Sequence, residues 1–126
     1  MDIIGLGVDL AEVGRVRDLL ARYGDAFRRR CFTDHEWEYA HRFRDPAGRL
    51  SARFAGKEAV MKSLGTGWRR LRWTEIEITG GGRPRAILTG RAAIRAEMLG
   101  VTEVLVTVTH TRDQAVVMAI AVGGEH

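Results

Sequence analysis

The sequence has 126 residues, 45% of them hydrophobic and 29% charged. That length suggests one domain with a core of its own, and that composition excludes intrinsic disorder. Twenty lysines and arginines against sixteen acids give a formal charge of +4, so the expected partners are anionic: nucleic acid, phosphorylated ligands or an acidic protein.

In chain order, residues 3–10 read as an apolar strand broken by Gly5 and Gly7. Asp9 and Glu12 have capping-box spacing. Val13, Val16, Leu20 and Tyr23 follow at helical intervals up to Gly24, which leaves Arg15, Arg22 and Leu19 on the outer face. Thr33 and Glu36 form a second capping-box pattern, opening a helix toward Ala40. Residues 45–48 read as a turn, and a long alanine-rich helix is expected over 50–64, stopped by Gly65. Residues 75–79 and 85–89 alternate as strands around Gly80-Gly81-Gly82. A helix over 90–99 ends at Gly100. Residues 104–110 and 114–122 read as strands joined by Thr111-Arg112-Asp113, short enough for a hairpin. Together they predict an α+β domain spanning 1–126, an antiparallel sheet with helices covering one face.

Cys31 is the only cysteine, so neither an internal disulfide nor a thiolate metal site is available, and a cytoplasmic setting is expected. The N-terminus has no basic segment followed by an apolar stretch, so no signal peptide is expected. The longest apolar run, 115–122, is far shorter than the ~20 residues of a membrane helix. Only Lys57 and Lys62 are lysine against a background of arginine, which hints that a compact ammonium is needed there.

Three motif matches fail. Gly5-Leu6-Gly7 lacks the third glycine of a dinucleotide fingerprint, because Leu10 stands there. Gly56-Lys57 lacks the upstream glycine of a P-loop, where Ser51 stands, and Glu58 replaces the required Ser or Thr. His35-Glu36 lacks the second histidine of a zincin helix, where Tyr39 stands.

Three segments have residues that can carry chemistry. Asp9 lies at a strand end, where its carboxylate either faces a cleft or caps the first helix. Phe54, Glu58 and Lys62 lie at i, i+4 intervals on one helical face. That row is either an exposed ion pair or a carboxylate for Mg²⁺ beside an ammonium for phosphate. Thr107, Thr109 and Thr111 share one strand face, with His110 at the strand end. There a histidine either sits satisfied in a turn or meets a phosphate.

The order of these segments is more specific than any one of them. Gly-x-Asp near the start, Phe54-x-x-Lys57-Glu58-Ala59-x-x-Lys62 on the long helix and Thr109-His110 near the end resemble the bacterial holo-acyl carrier protein synthases, the small branch of the phosphopantetheinyl transferase superfamily. Leu64-Gly65-Thr66-Gly67, Thr33 with Glu36, and Gly82-Arg83-Pro84 extend the resemblance over nearly the whole chain. Gly56 and Thr107 depart from the alanine and serine usual in that family, and residues 27–50 match loosely.

The resemblance implies Mg²⁺-dependent transfer of phosphopantetheine from coenzyme A to a carrier-protein serine, with release of 3′,5′-ADP. Asp9 and Glu58 would hold the metal. Glu58, Lys62 and His110 would be catalytic. Arg53, Phe54, Lys62, Gly65, Pro84, His110 and Thr111 would bind coenzyme A, Arg53 serving its 3′-phosphate. Either Glu58 or a metal-adjacent water would take the serine proton. Family members resemble homotrimers with active sites between subunits, so Asp9 and Glu58 would face a neighbour's His110. Arg15 and Arg22 on helix 1, with Leu19 and Phe27 as apolar anchors, would dock an acidic carrier of fatty-acid or polyketide synthesis. No membrane or nucleic-acid partner is expected. The rival readings are a nucleic-acid module, suggested by Arg28-Arg29-Arg30, and a catalytically silent chain of the same fold.

Overall fold

The computed structural model describes residues 1–124. Its elements in order are β1 (Asp2–Glu12), α1 (Val13–Tyr23), α2 (Asp25–Cys31), α3 (Asp34–Ala40), α4 (Pro46–Ser63), β2 (Ile76–Ile78), β3 (Ala86–Leu88), α5 (Gly90–Leu99), β4 (Val101–His110) and β5 (Gln114–Gly123). The α+β class follows from these elements as expected. The expected sheet is in fact two: an antiparallel β1-β5-β4 sheet and a separate β2-β3 hairpin, tied by a single bridge between Arg85 and Leu105.

Side chains alternate across a strand, so the register decides which residues face the helices. Gly7 stands opposite Ala119, itself opposite Val106, and Asp9 opposite Val117, itself opposite Val108. This face takes α4, whose buried positions lie on most of its circumference. On the other face Leu6, Val8, Leu10 and Met118 remain 44–62% exposed.

The glycines of β1 make the packing possible. A Cβ on Gly5 would lie 1.8 Å from the Ser63 carbonyl oxygen, and one on Gly7 would lie 1.9 Å from that of Ala59. The helix backbone therefore rests directly on the strand, which only glycine permits. The Gly-x-Gly pattern is a packing device.

Several expected boundaries are corrected. β1 stays paired with β5 as far as Glu12, so Asp9 is extended and caps nothing; Glu12 precedes α1 without a side-chain cap. Residues 45–48, expected as a turn, open α4: the Asp45 carboxylate accepts from Ala47 N at 3.2 Å and Pro46 occupies the first turn. α2 is a helix that apolar periodicity gave no sign of; its seven residues are mostly arginine outside and Phe27 with Cys31 inside. A short 3₁₀ turn, Trp73–Glu75, replaces the start of the expected strand at 75, and β4 starts at Val101 rather than 104.

One polar cluster lies inside the core. The Thr33 capping box forms as expected, but its Glu36 does more than cap. Glu36 Oε1 accepts from Thr33 N at 2.9 Å and from Lys57 Nζ at 2.6 Å, while Oε2 accepts from Ile78 N at 2.7 Å. The Lys57 ammonium also donates to the carbonyls of Trp73 at 3.0 Å and Ile76 at 2.5 Å. Its three donors are thus all matched, which is what allows a lysine with 0% side-chain exposure. The pair ties α3, α4 and β2 together.

Candidate active site

Asp9 and α4 build the first half of the site. Gly5, Gly7 and Asp9 share the strand face beneath α4, so the close contact at the glycines carries Asp9 up to the helix. Phe54, Glu58 and Lys62 lie along that edge of the helix. The Lys62 ammonium reaches Asp9 Oδ1 at 3.0 Å and the Val8 carbonyl at 3.1 Å. It pairs with the strand carboxylate and not with Glu58 as an exposed i, i+4 pair would. Asp9 is largely enclosed, its side chain 16% exposed, whereas Lys62 is 55% exposed.

Glu58 is half-buried beside Asp9. Burial first, then the Asp9 charge and a hydrogen bond to it, push its carboxyl up to about 7; Lys62 and Arg15 pull the other way. Two carboxylates held this close on one strand and one helix need a cation or a proton between them. Among the described residues no cluster of three or more His, Cys, Asp or Glu side chains exists. A two-carboxylate set is too small to enclose a metal but suits Mg²⁺, which keeps several waters and takes phosphate oxygens.

The second half lies on the opposite flank of α4. Arg53 is five residues before Glu58, about 140° round the helix. It is 6% exposed, with its guanidinium 4.7 Å from the Tyr39 ring and its Nε without a hydrogen-bond partner. It lines a hollow of about 280 Å³ together with Tyr39, Gly80, Pro84 and His110. A buried guanidinium with an unmatched donor is costly unless an anion completes it. Thr111 follows at the hairpin, where its Oγ1 accepts from Asp113 N at 3.3 Å and Gln114 N at 3.2 Å. That leaves the hydroxyl hydrogen to donate outward.

These halves are not joined within one chain. Asp9 is on β1 and His110 on β4, the two edges of the sheet with β5 between them, so they are two strand spacings apart, roughly 10 Å. Gly65 stands past the end of α4 with φ 69°, in a separate hollow with Arg69, Arg70 and Arg95.

Of the expected docking residues, Arg15 and Arg22 are exposed on α1 and Leu19 is half-buried. Phe27 is corrected: it is 8% exposed, its ring against Phe32 and Phe54 at 5.4 and 5.8 Å, because α2 folds its apolar side inward. It is a wall of the core rather than a protruding anchor. Sequence reasoning also missed the Lys57–Glu36 pair. Its signal was present: Lys57 is flanked by Ala55, Gly56, Ala59 and Val60, all of which pack inward.

Comparison with known proteins identifies the family. The chain belongs to the 4′-phosphopantetheinyl transferase superfamily, whose family model matches residues 5–120, and it is an enzyme of the transferase class. Within that superfamily it is a homologue of the bacterial holo-acyl carrier protein synthases. A holo-[acyl-carrier-protein] synthase of Solibacter usitatus is 46% identical over 112 residues, 86% of this chain and 90% of the relative. The crystal structure of the Neisseria meningitidis synthase superposes with a TM-score of 0.86 at 28% identity, covering 95% of this chain and 98% of the other. A Bacillus anthracis synthase in complex with CoA (3′,5′-ADP) superposes with a TM-score of 0.75 at 26% identity, covering 94% and 96%.

Proposed function

We propose that this chain transfers the phosphopantetheine arm of coenzyme A to a serine of an apo-acyl carrier protein, releasing 3′,5′-ADP, in the presence of Mg²⁺. The observation that carries the reading is the meeting of Asp9, Glu58 and Lys62 at the α4–β1 contact. Two adjacent carboxylates and one ammonium are a donor set for a metal beside phosphate, and the proposed reaction breaks a P–O bond of the coenzyme's pyrophosphate as a phosphate ester forms at the serine. Mg²⁺ bound there would neutralise charge on the coenzyme's pyrophosphate. Lys62, its side chain 55% exposed, would turn from Asp9 to a phosphate oxygen once the carboxylates are otherwise neutralised.

Arg53, Pro84 and His110 would hold the nucleotide end, the buried guanidinium matching a phosphate. Phe54, Gly65 and Thr111 would supply further contacts to the coenzyme. We further propose that three protomers assemble through the uncovered apolar sheet face, bringing one chain's Asp9 and Glu58 to a neighbour's His110. A single chain keeps those halves apart and leaves Leu6, Val8, Leu10 and Met118 in water; assembly would relieve both. Arg15 and Arg22 would steer an acidic carrier toward Glu58. The lone thiol Cys31, buried and without a disulfide partner, accords with a cytoplasmic setting.

The test is incubation with apo-acyl carrier protein, coenzyme A and Mg²⁺, followed by weighing the carrier by mass spectrometry. The carrier should gain one phosphopantetheine, and the gain should disappear with EDTA or with Glu58→Ala. Absence of coenzyme A binding in folded protein would sink the proposal.

A further inference from the structure

The hollow beside Arg53 has a second arginine in its wall. Arg49 and Arg53 stand one turn apart on α4 and both line it. No carboxylate lines it, and among the described residues neither guanidinium forms a salt bridge. Burial holds the Arg53 guanidinium below its usual range; Tyr39 and Glu36 oppose this, and the Arg49 charge adds to it. The Glu36 oxygens are already taken by Thr33 N, Lys57 and Ile78 N. Two like charges thus share one hollow whose walls supply no counter-charge.

Aromatic rings set how these arginines face. The Arg53 guanidinium lies 4.7 Å from the Tyr39 ring centre, and the Arg49 guanidinium 3.9 Å from that of Phe43. The two rings meet edge to face with centres 5.2 Å apart. A guanidinium laid against a ring keeps its N–H groups in its own plane, free for an acceptor at its edge. The Arg53 Nε is such a donor, buried and unmatched. Tyr39 is itself fixed, its hydroxyl oxygen accepting from Gly81 N at 3.2 Å. Gly80 leaves the room: a Cβ there would lie 2.4 Å from an Arg53 terminal nitrogen and 2.5 Å from the Tyr39 ring. The glycine turn after β2 therefore lies against the stacked pair without displacing it.

Such a pair of arginines fits a phosphate monoester. At neutral pH a monoester carries about −1.5 to −2 charge on one phosphorus centre, whereas an esterified pyrophosphate spreads its charge over two. Two guanidiniums, each a planar fork, match a dianion in charge and in geometry. Coenzyme A has one phosphate monoester, on its ribose. The hollow is on the flank of α4 away from Asp9 and Glu58, so a group held there is remote from the bond that breaks. Its contribution is to binding and to the choice of coenzyme.

We propose that Arg49 joins Arg53 as a second guanidinium on the coenzyme's 3′-phosphate, and that Tyr39 and Phe43 are positioning residues that hold both guanidiniums edge-on to it. The proposal rests on the transferase reading, and it adds a second arginine and a ring pair to the single arginine assigned there.

The test compares coenzyme A with 3′-dephospho-coenzyme A as donors to apo-acyl carrier protein. Arg49→Gln should lower kcat/KM for coenzyme A about tenfold or more, and that for the dephospho form by less than about twofold. Tyr39→Leu and Phe43→Leu should each cut the preference for coenzyme A severalfold, and Tyr39→Phe, which keeps the ring, should restore most of it. The preference is a ratio measured on one preparation, so partial unfolding does not move it. Arg44→Gln, at an exposed arginine outside the hollow, removes the same charge and should keep the wild-type preference. Equal losses with both donors, or an unchanged preference in Arg49→Gln, overturn the proposal. So does an equal loss of preference in Arg44→Gln, which reduces the effect to net charge. Should the wild-type protein modify no carrier, the transferase reading fails instead, and calorimetry decides the hollow on its own. Adenosine 3′,5′-bisphosphate should then bind and lose about tenfold in affinity in Arg49→Gln, with adenosine 5′-monophosphate unaffected. Bisphosphate that does not bind, or binds both proteins alike, overturns the assignment.

Discussion

Glu58 carries a charge that the fold alone does not accommodate. Its carboxyl is raised from 4.5 to about 7, chiefly by burial and then by Asp9. A group whose folded pKa is raised binds its proton more tightly in the native state. Its stabilising contribution is therefore complete below about pH 4.5 and is lost as the pH rises through about 7. In EDTA-treated protein, the thermal midpoint of wild type should fall relative to Glu58→Gln between pH 5 and 8, and the two should converge at the acid end. Parallel midpoints across that range would contradict a carboxylate pair held together by the fold. The two lysines illustrate what was legible at this scale. Their rarity marked both, and Lys62 is at the carboxylates. Lys57, five residues away, is instead sealed against Glu36, because α4 is buried on more than one side and its helical phase does not say which ammonium meets water.

The element that sets the geometry is the contact of α4 with β1. The helix and the strand were both readable from periodicity, as were the glycine stops: Gly24, Gly65 and Gly100 all adopt positive φ at helix ends. The contact between them was not readable, since Gly5 and Gly7 have equally good explanations in a ligand loop or a turn. Gly7→Ala should push the α4 backbone off the strand, because the added Cβ meets the Ala59 carbonyl oxygen at 1.9 Å and backbone cannot rotate aside. We expect a loss of about 1–3 kcal/mol in urea unfolding, together with transfer activity falling well below what the remaining folded fraction accounts for. Gly14→Ala, where a Cβ meets nothing within 4 Å, serves as the control and should behave as wild type. Activity loss in both variants would detach the effect from the helix–strand contact.

At the scale of the whole molecule, the sheet face turned away from α4 stays uncovered. Leu10 and Val8 lie on β1, with Met118 opposite Val8 on β5, so one substitution changes the middle of the patch. Val8→Glu places a carboxylate there, which an assembled interface would have to bury at a cost of several kcal/mol. By native mass spectrometry the variant should shift from trimer to monomer and lose transfer activity, while its circular dichroism stays that of a folded chain. A wild type that is monomeric and active would remove the subunit-interface arrangement and require His110 to act from within its own chain. The basic surface is global in the same sense: the composition announced its charge, and its concentration around Tyr39 appears only when α3 and α4 are brought side by side.

By itself the sequence carried the class of chemistry, through its resemblance to a family, and the order of the elements apart from α2 and the short 3₁₀ turn. Helical and strand periods, capping residues and the Phe54–Glu58–Lys62 spacing are local, and local patterns survive without knowledge of what packs on them. Tertiary structure alone decided that Asp9 meets Lys62, that Arg53 is buried with an unmatched donor, that Phe27 faces inward and that the site is divided between two flanks of α4. Each of these depends on contacts between residues far apart in the chain, where the closeness of approach is set by side-chain size and strand register, quantities that no single segment encodes.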